Sequence, residues 1–201
     1  MTVEELRAAL AATPGEGWLA DALRRVANRP ATVALLFPQA GRRCGRGPLA
    51  GAPGWNADEA ARAVLLAALP ADAAAEIAAL YRYGDAAEKR AVLKALPLLD
   101  IGDAGVPLLH DAIRTNDTRL VAAALGPYAR RLDDAAWRQA VLKCVFMGVP
   151  LAAVHDLDDR AEGELAVMLA GLSAERAAAG RALAADAADL LARLETTAKE
   201  Q

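Results

Sequence analysis

The chain reads as all-α, on three observations. Roughly a quarter of its 201 residues are alanine, the best intrinsic helix former, while aromatics make up only 4%. Apolar residues recur at 3.6-residue spacing in segment after segment. Capping-box spacings, such as Thr2 with Glu5 and Asn56 with Glu59, stand where those periodic segments begin. The expected architecture is one domain of about nine or ten helices. They would form antiparallel pairs, stacked as a short HEAT- or armadillo-like array or as a bundle. One irregular loop rich in arginine, glycine and proline would interrupt them.

Before that loop the pattern places N-terminal helices in residues 1–36, near Glu4–Ala11 and Trp18–Ala27. Thr32–Leu36 is a short apolar run for which periodicity leaves helix and strand both open. Residues 37–55 (FPQAGRRCGRGPLAGAPGW) hold three arginines, five glycines, three prolines and no acid. Glycine admits positive φ and proline removes a backbone donor, so no long helix is expected to cross this stretch. A helical-repeat-like body spans 56–195. Its first helix carries Ala60, Ala61, Val64, Leu65, Ala68 and Leu69 on one face.

A degenerate repeat follows. LLAALP (Leu65–Pro70) recurs as VLKALP (Val92–Pro97), and RYGD (Arg82–Asp85) as RTND (Arg114–Asp117). The second pair reads as a helix joint. Arginine favours the negative end of one helix, Gly84 or Asn116 takes the left-handed conformation, and Asp85 or Asp117 caps the next. Joints this short predict antiparallel neighbours. Later stripes run through Leu120–Tyr128, Trp137–Val145, Leu165–Leu172 and Leu183–Leu194, before a polar tail at 196–201 expected to fray.

The formal charge of −3 and pI near 5.5 argue against a nucleic-acid partner, which calls for a basic face. No apolar run approaches the ~20 residues needed to span a bilayer. The start of the chain lacks the organisation of a secretory signal, so a cytoplasmic location is expected. No cofactor or metal motif is evident.

The candidate ligand-binding residues are Arg42, Arg43, Arg46 and Trp55. Guanidinium forks without local carboxylates suit an anionic group, and Trp55 either anchors the loop or offers a flat surface to a ligand. The following helix begins with Asp58 and Glu59, so its positive end is already served by its own acids. The stretch also lacks the Gly-Lys-Ser/Thr ending of a P-loop. His155 precedes Asp156, Asp158 and Asp159, which invites acid–base or metal chemistry; no second histidine lies at helical spacing, and the aspartates can instead cap a helix starting near Arg160. Arg114 is a secondary candidate at a helix end. Cys44, flanked by arginine, has either a charge-favoured thiolate or no reactive role, and Cys144 falls on an apolar stripe. Arg62, four residues after Asp58, has intrahelical ion-pair spacing. No complete catalytic constellation is visible, so no catalytic residue is assigned.

Three blocks read together in order: FPQAGRRCGRGPL, ALYRYGDAAEKRAVLKALPLLD and AIRTNDTRLVAAALGPYARRLDDAAWRQAVLKCVFMGVPL. They resemble the EboA domain family of bacterial proteins, best between Phe37 and Leu151. The resemblance implies a partner set rather than a reaction. Family members are encoded beside proteins similar to a membrane prenyltransferase, a sugar-phosphate cyclase and metal-dependent hydrolases. That group is associated with making a small metabolite or moving its precursor. The expectation is a non-catalytic accessory protein that binds an anionic small molecule, a partner enzyme, or both. An isomerase or transferase acting on a phosphorylated intermediate is the alternative.

Overall fold

The structure is a computed structural model and describes residues 1–199. It is all-α: among the described residues, the one isolated β-bridge joins Pro48 and Asn56. The helical segments are shorter and more numerous than expected. Two compact units divide within helix α8 (Val106–Arg114), one spanning Met1–Leu108 and the other beginning at Leu109.

The first unit contains α1 (Val3–Ala11), α2 (Glu16–Asn28), α3 (Val33–Leu36), α4 (Ala40–Arg43), α5 (Ala57–Ala67), α6 (Ala74–Tyr83) and α7 (Ala86–Ala95). Thr2 opens α1 with the expected capping box. The ambiguous stretch near Thr32–Leu36 is helical. Pro30–Thr32 forms a 3-10 turn, α3 follows, and a second 3-10 turn at Phe37–Gln39 leads into α4. The helical run therefore enters the stretch expected to be irregular and stops at Arg43. Pro38 sits at the start of its turn, where a missing N–H is tolerated.

The irregular part begins after Arg43 and is tightly folded. Leu49 N–H donates to Trp55 O at 2.8 Å, and Ala57 N–H to Gly47 O at 2.9 Å. Leu49 and Ala52 are buried beneath it. Gly45 and Gly54 take φ of 85° and 80°, values that disfavour any side chain.

Helix α5 is the hub of this unit. Every residue from Ala57 to Leu66 is buried, so the one-sided stripe read from the sequence is corrected to a helix covered on all sides. Helices α1, α4 and α7 pack around it. The alanines at 57, 60, 61 and 63 allow that close approach. Burial on all faces also takes Asp58, Glu59 and Arg62 out of water, at 3%, 3% and 1% exposure.

Each of these charges is met. Arg62 donates through Nη1 to Asp58 Oδ2 at 2.6 Å and through Nε to Phe37 O at 3.2 Å. Its guanidinium carbon also lies 5.4 Å from the centroid of the Phe37 ring. Glu59 accepts from Asn56 N–H at 3.0 Å, from Lys94 Nζ at 2.5 Å, and from Arg90. Contacts run in opposite order along α5 and α7. Glu59 meets Arg90 and Lys94, while Arg62, one turn later, faces Glu88 with Nη2 3.9 Å from Oε1.

Gly84 does not adopt the left-handed conformation expected of the RYGD joint; its φ is −74°. Space explains the glycine, since an added Cβ would sit 2.7 Å from Leu80 O and 2.9 Å from Glu88 Cβ. Asn116 likewise lacks a positive φ. The capping parts of the two joints hold: Asp85 and Glu88 form a reciprocal box, and Asp117 accepts from Arg119 N–H.

The second unit contains α9 (Thr118–Ala124), α10 (Asp134–Met147), α11 (Leu157–Arg160), α12 (Gly163–Ala178) and α13 (Ala185–Lys199). Gly148 ends α10 in the left-handed conformation, at φ 72°. The connection that follows is longer than the joints of the repeat and carries the chain back along α10. Arg160 donates to Ala129 O, Leu132 O and Asp134, returning the chain to the start of α10. Helix α12 then runs parallel to α10, with Arg138 on Glu162 at one end and Arg176 on Val145 O at the other. Helix α13 returns antiparallel, its Asp186 accepting from Leu151 N–H and its Arg193 pairing with Asp158. It remains helical through Lys199, which covers most of the tail expected to fray; Glu200 and Gln201 lie outside the described residues.

Arg62→Ala leaves Asp58 as an uncompensated buried charge and frees the Phe37 carbonyl. The expected loss is about 3–5 kcal/mol of unfolding free energy. Urea titration followed by circular dichroism measures it, and a loss below about 1 kcal/mol would show that the network carries little of the fold.

Candidate functional site

Helix α3 with its flanking 3-10 turns forms one wall of a cavity, and α6 forms the other. The cavity is a groove of about 400 Å³. Ala31, Ala34 and Pro38 line the first wall, together with Val33 and Phe37. Ala31, Ala34 and Pro38 fall on one helical face by their i, i+3, i+7 spacing. The second wall is Glu76, Ala79, Leu80 and Tyr83, again at single-face spacing, closed by Gly84 and Glu88. Most of the lining is apolar. Its carboxylates are Glu76, exposed in the first turn of α6, and Glu88, whose side chain is 12% exposed.

The ion network of α5 fixes two of these lining residues. Arg62 holds the Phe37 carbonyl on one wall and stands 3.9 Å from Glu88 on the other. Leu80 and Glu88 also lie close to the Gly84 backbone, so a side chain at position 84 would not fit in that corner of the groove. Leu35 and Tyr83 lie at 67% and 82% exposure, so the neighbourhood of the groove presents apolar surface to solvent.

Arg42, Arg43 and Arg46 are all exposed. Arg42 and Arg43 end the same helical run whose earlier turns line the groove, so Arg42 lies about one turn (5.4 Å of rise) beyond Pro38. Arg46 folds back over Gly41, where a Cβ would meet its Nε at 2.9 Å. The three side chains have no ion pair among the described residues, and none lines this groove. Trp55 is half-buried and anchored: Lys94 Nζ lies 4.4 Å from its ring centroid and donates to Gly54 O at 2.6 Å. Burial holds the Lys94 pKa below the usual lysine value, although Glu59 beside it acts in the opposite direction.

The other candidates stand apart from the groove's lining. His155 lies in the second unit, its backbone N–H bound to Leu125 O and its Nδ1 2.7 Å from Asp156 Oδ1. Asp156 adopts a left-handed φ of 56°. Asp158 and Asp159 fall inside α11, and Glu162 caps α12, which corrects the capping role expected of the aspartates. Among the described residues no group of histidine, cysteine and acid side chains has metal-binding geometry. Arg114 is exposed and pairs loosely with Asp111 at 3.5 Å.

Cys44 is buried against Gly15, and the charge-favoured thiolate is overturned. Burial, aided by the nearby Asp58, raises its pKa to about 11. Burial alone raises Cys144 to about 12. The RYGD segment was visible as a joint, but its tyrosine and glycine gave no sign of lining a cavity. The small-residue spacing Ala31–Ala34–Pro38, not read from the sequence above, is the one local signal that could have pointed there.

Among the described residues no helix is long and apolar enough to cross a membrane. Residues 50–191 match the family model described as "Metabolite traffic protein EboA", which is more than half of the chain. The matched stretch includes the α5 ion network, the α6 wall of the groove and Glu88. It begins after Arg42, Arg43 and Arg46. No curated protein and no solved structure matches.

Both thiols should resist a maleimide reagent at pH 8 in the folded protein and react fully in urea. A folded pKa above the unfolded value of about 9 means the folded state keeps its proton longer. The stabilising contribution is complete below about pH 9 and is lost as pH rises towards 11 to 12. Rapid native labelling of Cys44 would contradict the burial described here.

Proposed function

The chain belongs to the EboA family, and from that premise we propose that it is a non-catalytic binding protein in metabolite traffic. The groove between α3 and α6 holds the apolar part of a small molecule. Arg42, Arg43 and Arg46 offer guanidinium donors to an anionic group, phosphate or carboxylate, on that molecule or on a partner enzyme that receives it.

One observation carries the reading. A single helical run lines an apolar cavity of about 400 Å³ and ends in arginines that no carboxylate among the described residues engages. The size suits a small molecule, since ligand pockets span ~300–1,000 Å³ and are predominantly apolar with a few polar groups. Unpaired arginine forks suit a charged head. The walls are held by buried ion pairs, so the cavity is formed before a ligand arrives, which lowers the ordering cost of binding.

Octyl phosphate and octanol, both below micellar concentration, test the proposal by calorimetry. Ala34→Trp fills the groove from an exposed position and should abolish binding of both. Arg42→Ala/Arg46→Ala should weaken octyl phosphate about tenfold, or ~1.4 kcal/mol, and leave octanol unchanged. Equal affinity of all three proteins for octyl phosphate would remove both the groove and the arginines from consideration.

A further inference from the structure

We infer that Glu88 is a specificity-determining residue of the groove, accepting a hydrogen bond from a donor group, hydroxyl or ammonium, on the bound molecule. This rests on the reading of the groove as the ligand seat. It adds a second polar contact, at a position different from the arginines.

The argument starts with what the Glu88 carboxylate has already used. Oε2 accepts from Asp85 N–H at 3.1 Å, as the far half of the box that opens α7. Oε1 has Arg62 Nη2 as its ion-pair partner at 3.9 Å, too long for a hydrogen bond. Arg62 spends its other donors on Asp58 and the Phe37 carbonyl and is held there by burial, so it is not placed to close that gap. An ionised carboxylate offers about four lone-pair sites. Glu88 thus lines an apolar cavity with acceptor capacity that no donor among the described residues fills.

Its position is fixed as well as open. The capping box restrains Oε2, and Glu88 packs so close to Gly84 that a Cβ built on the glycine would lie 2.9 Å from its own Cβ. A restrained acceptor in apolar surroundings selects strongly, because a ligand without a donor must desolvate the carboxylate and return nothing. Arg62 supplies part of the counter-charge, so a neutral hydroxyl is accepted along with a cation.

Glu88→Gln tests this, because glutamine at the same helix position keeps the acceptor for Asp85 N–H and nearly the same volume. The probes are octylammonium and octyl phosphate, titrated by calorimetry into full-length wild type, Glu88→Gln, Arg42→Ala/Arg46→Ala and Ala34→Trp. Glu88→Gln should lose about tenfold in octylammonium affinity and keep its octyl phosphate affinity. The double arginine variant should show the reverse. Equal weakening of both probes by Glu88→Gln would mean a structural role, and no change in octylammonium would mean no contact; either result overturns the inference while leaving the groove reading in place. Unaltered octylammonium binding by Ala34→Trp, or no binding of either probe by wild type, would overturn the groove reading and this inference with it.

Discussion

Enclosing a charged helix on every side obliges the protein to answer each charge from within, and the first unit is arranged around that obligation. Alanines on α5 bring α1, α4 and α7 close enough to exclude water from Asp58, Glu59 and Arg62. A buried ion left unpaired costs several kcal/mol, so the partners have little freedom in where they stand. Arg90 and Lys94 fix the register of α7 against the start of α5. Arg62 fixes the Phe37 carbonyl, and Lys94 ties down the folded loop through Gly54 and Trp55. Buried ion pairs add little net stability compared with apolar packing; their effect here is to select one arrangement of the helices.

The groove inherits its shape from the same pairs. Phe37 belongs to one wall and Glu88 to the other, and a single guanidinium relates them. A cavity bordered by such contacts does not need to form as a ligand enters. Under the function proposed above, the apolar lining, the Glu88 carboxylate and the arginines at the end of the α3 run would divide the recognition of a molecule into separate physical tasks. Burial of apolar surface would then supply most of the affinity, and the polar groups would decide which molecule is retained.

Several of these parts were legible in the linear chain. Asn56 with Glu59 and Asp85 with Glu88 have capping-box spacing, and Asp58 with Arg62 has that of an intrahelical pair. All three contacts form. Their second roles were not legible. Glu59 also binds Arg90 and Lys94, Glu88 also lines a cavity, and the Arg62 pair is buried rather than solvated, because α7 and the loop cover α5. Cys44 illustrates the same limit. Its arginine neighbours in sequence suggested a favoured thiolate, whereas its neighbours in space are Gly15 and the field of Asp58.

Periodicity, caps and composition are local properties, and they sufficed for the helical class, several caps and an interruption within 37–55, though not for the helical turns that carry the chain to Arg43. The walls of the groove come from residues 31–38 and 76–88, more than thirty positions apart, so no local pattern joins them. The parallel course of α10 and α12 likewise depends on Arg160 reaching back to the carbonyls at Ala129 and Leu132. Amino-acid order settled the helical class and most of the points where helices begin, but left 32–43 open. Packing alone decided which charges lose their water and which surfaces enclose a space, because both depend on what lies opposite in three dimensions.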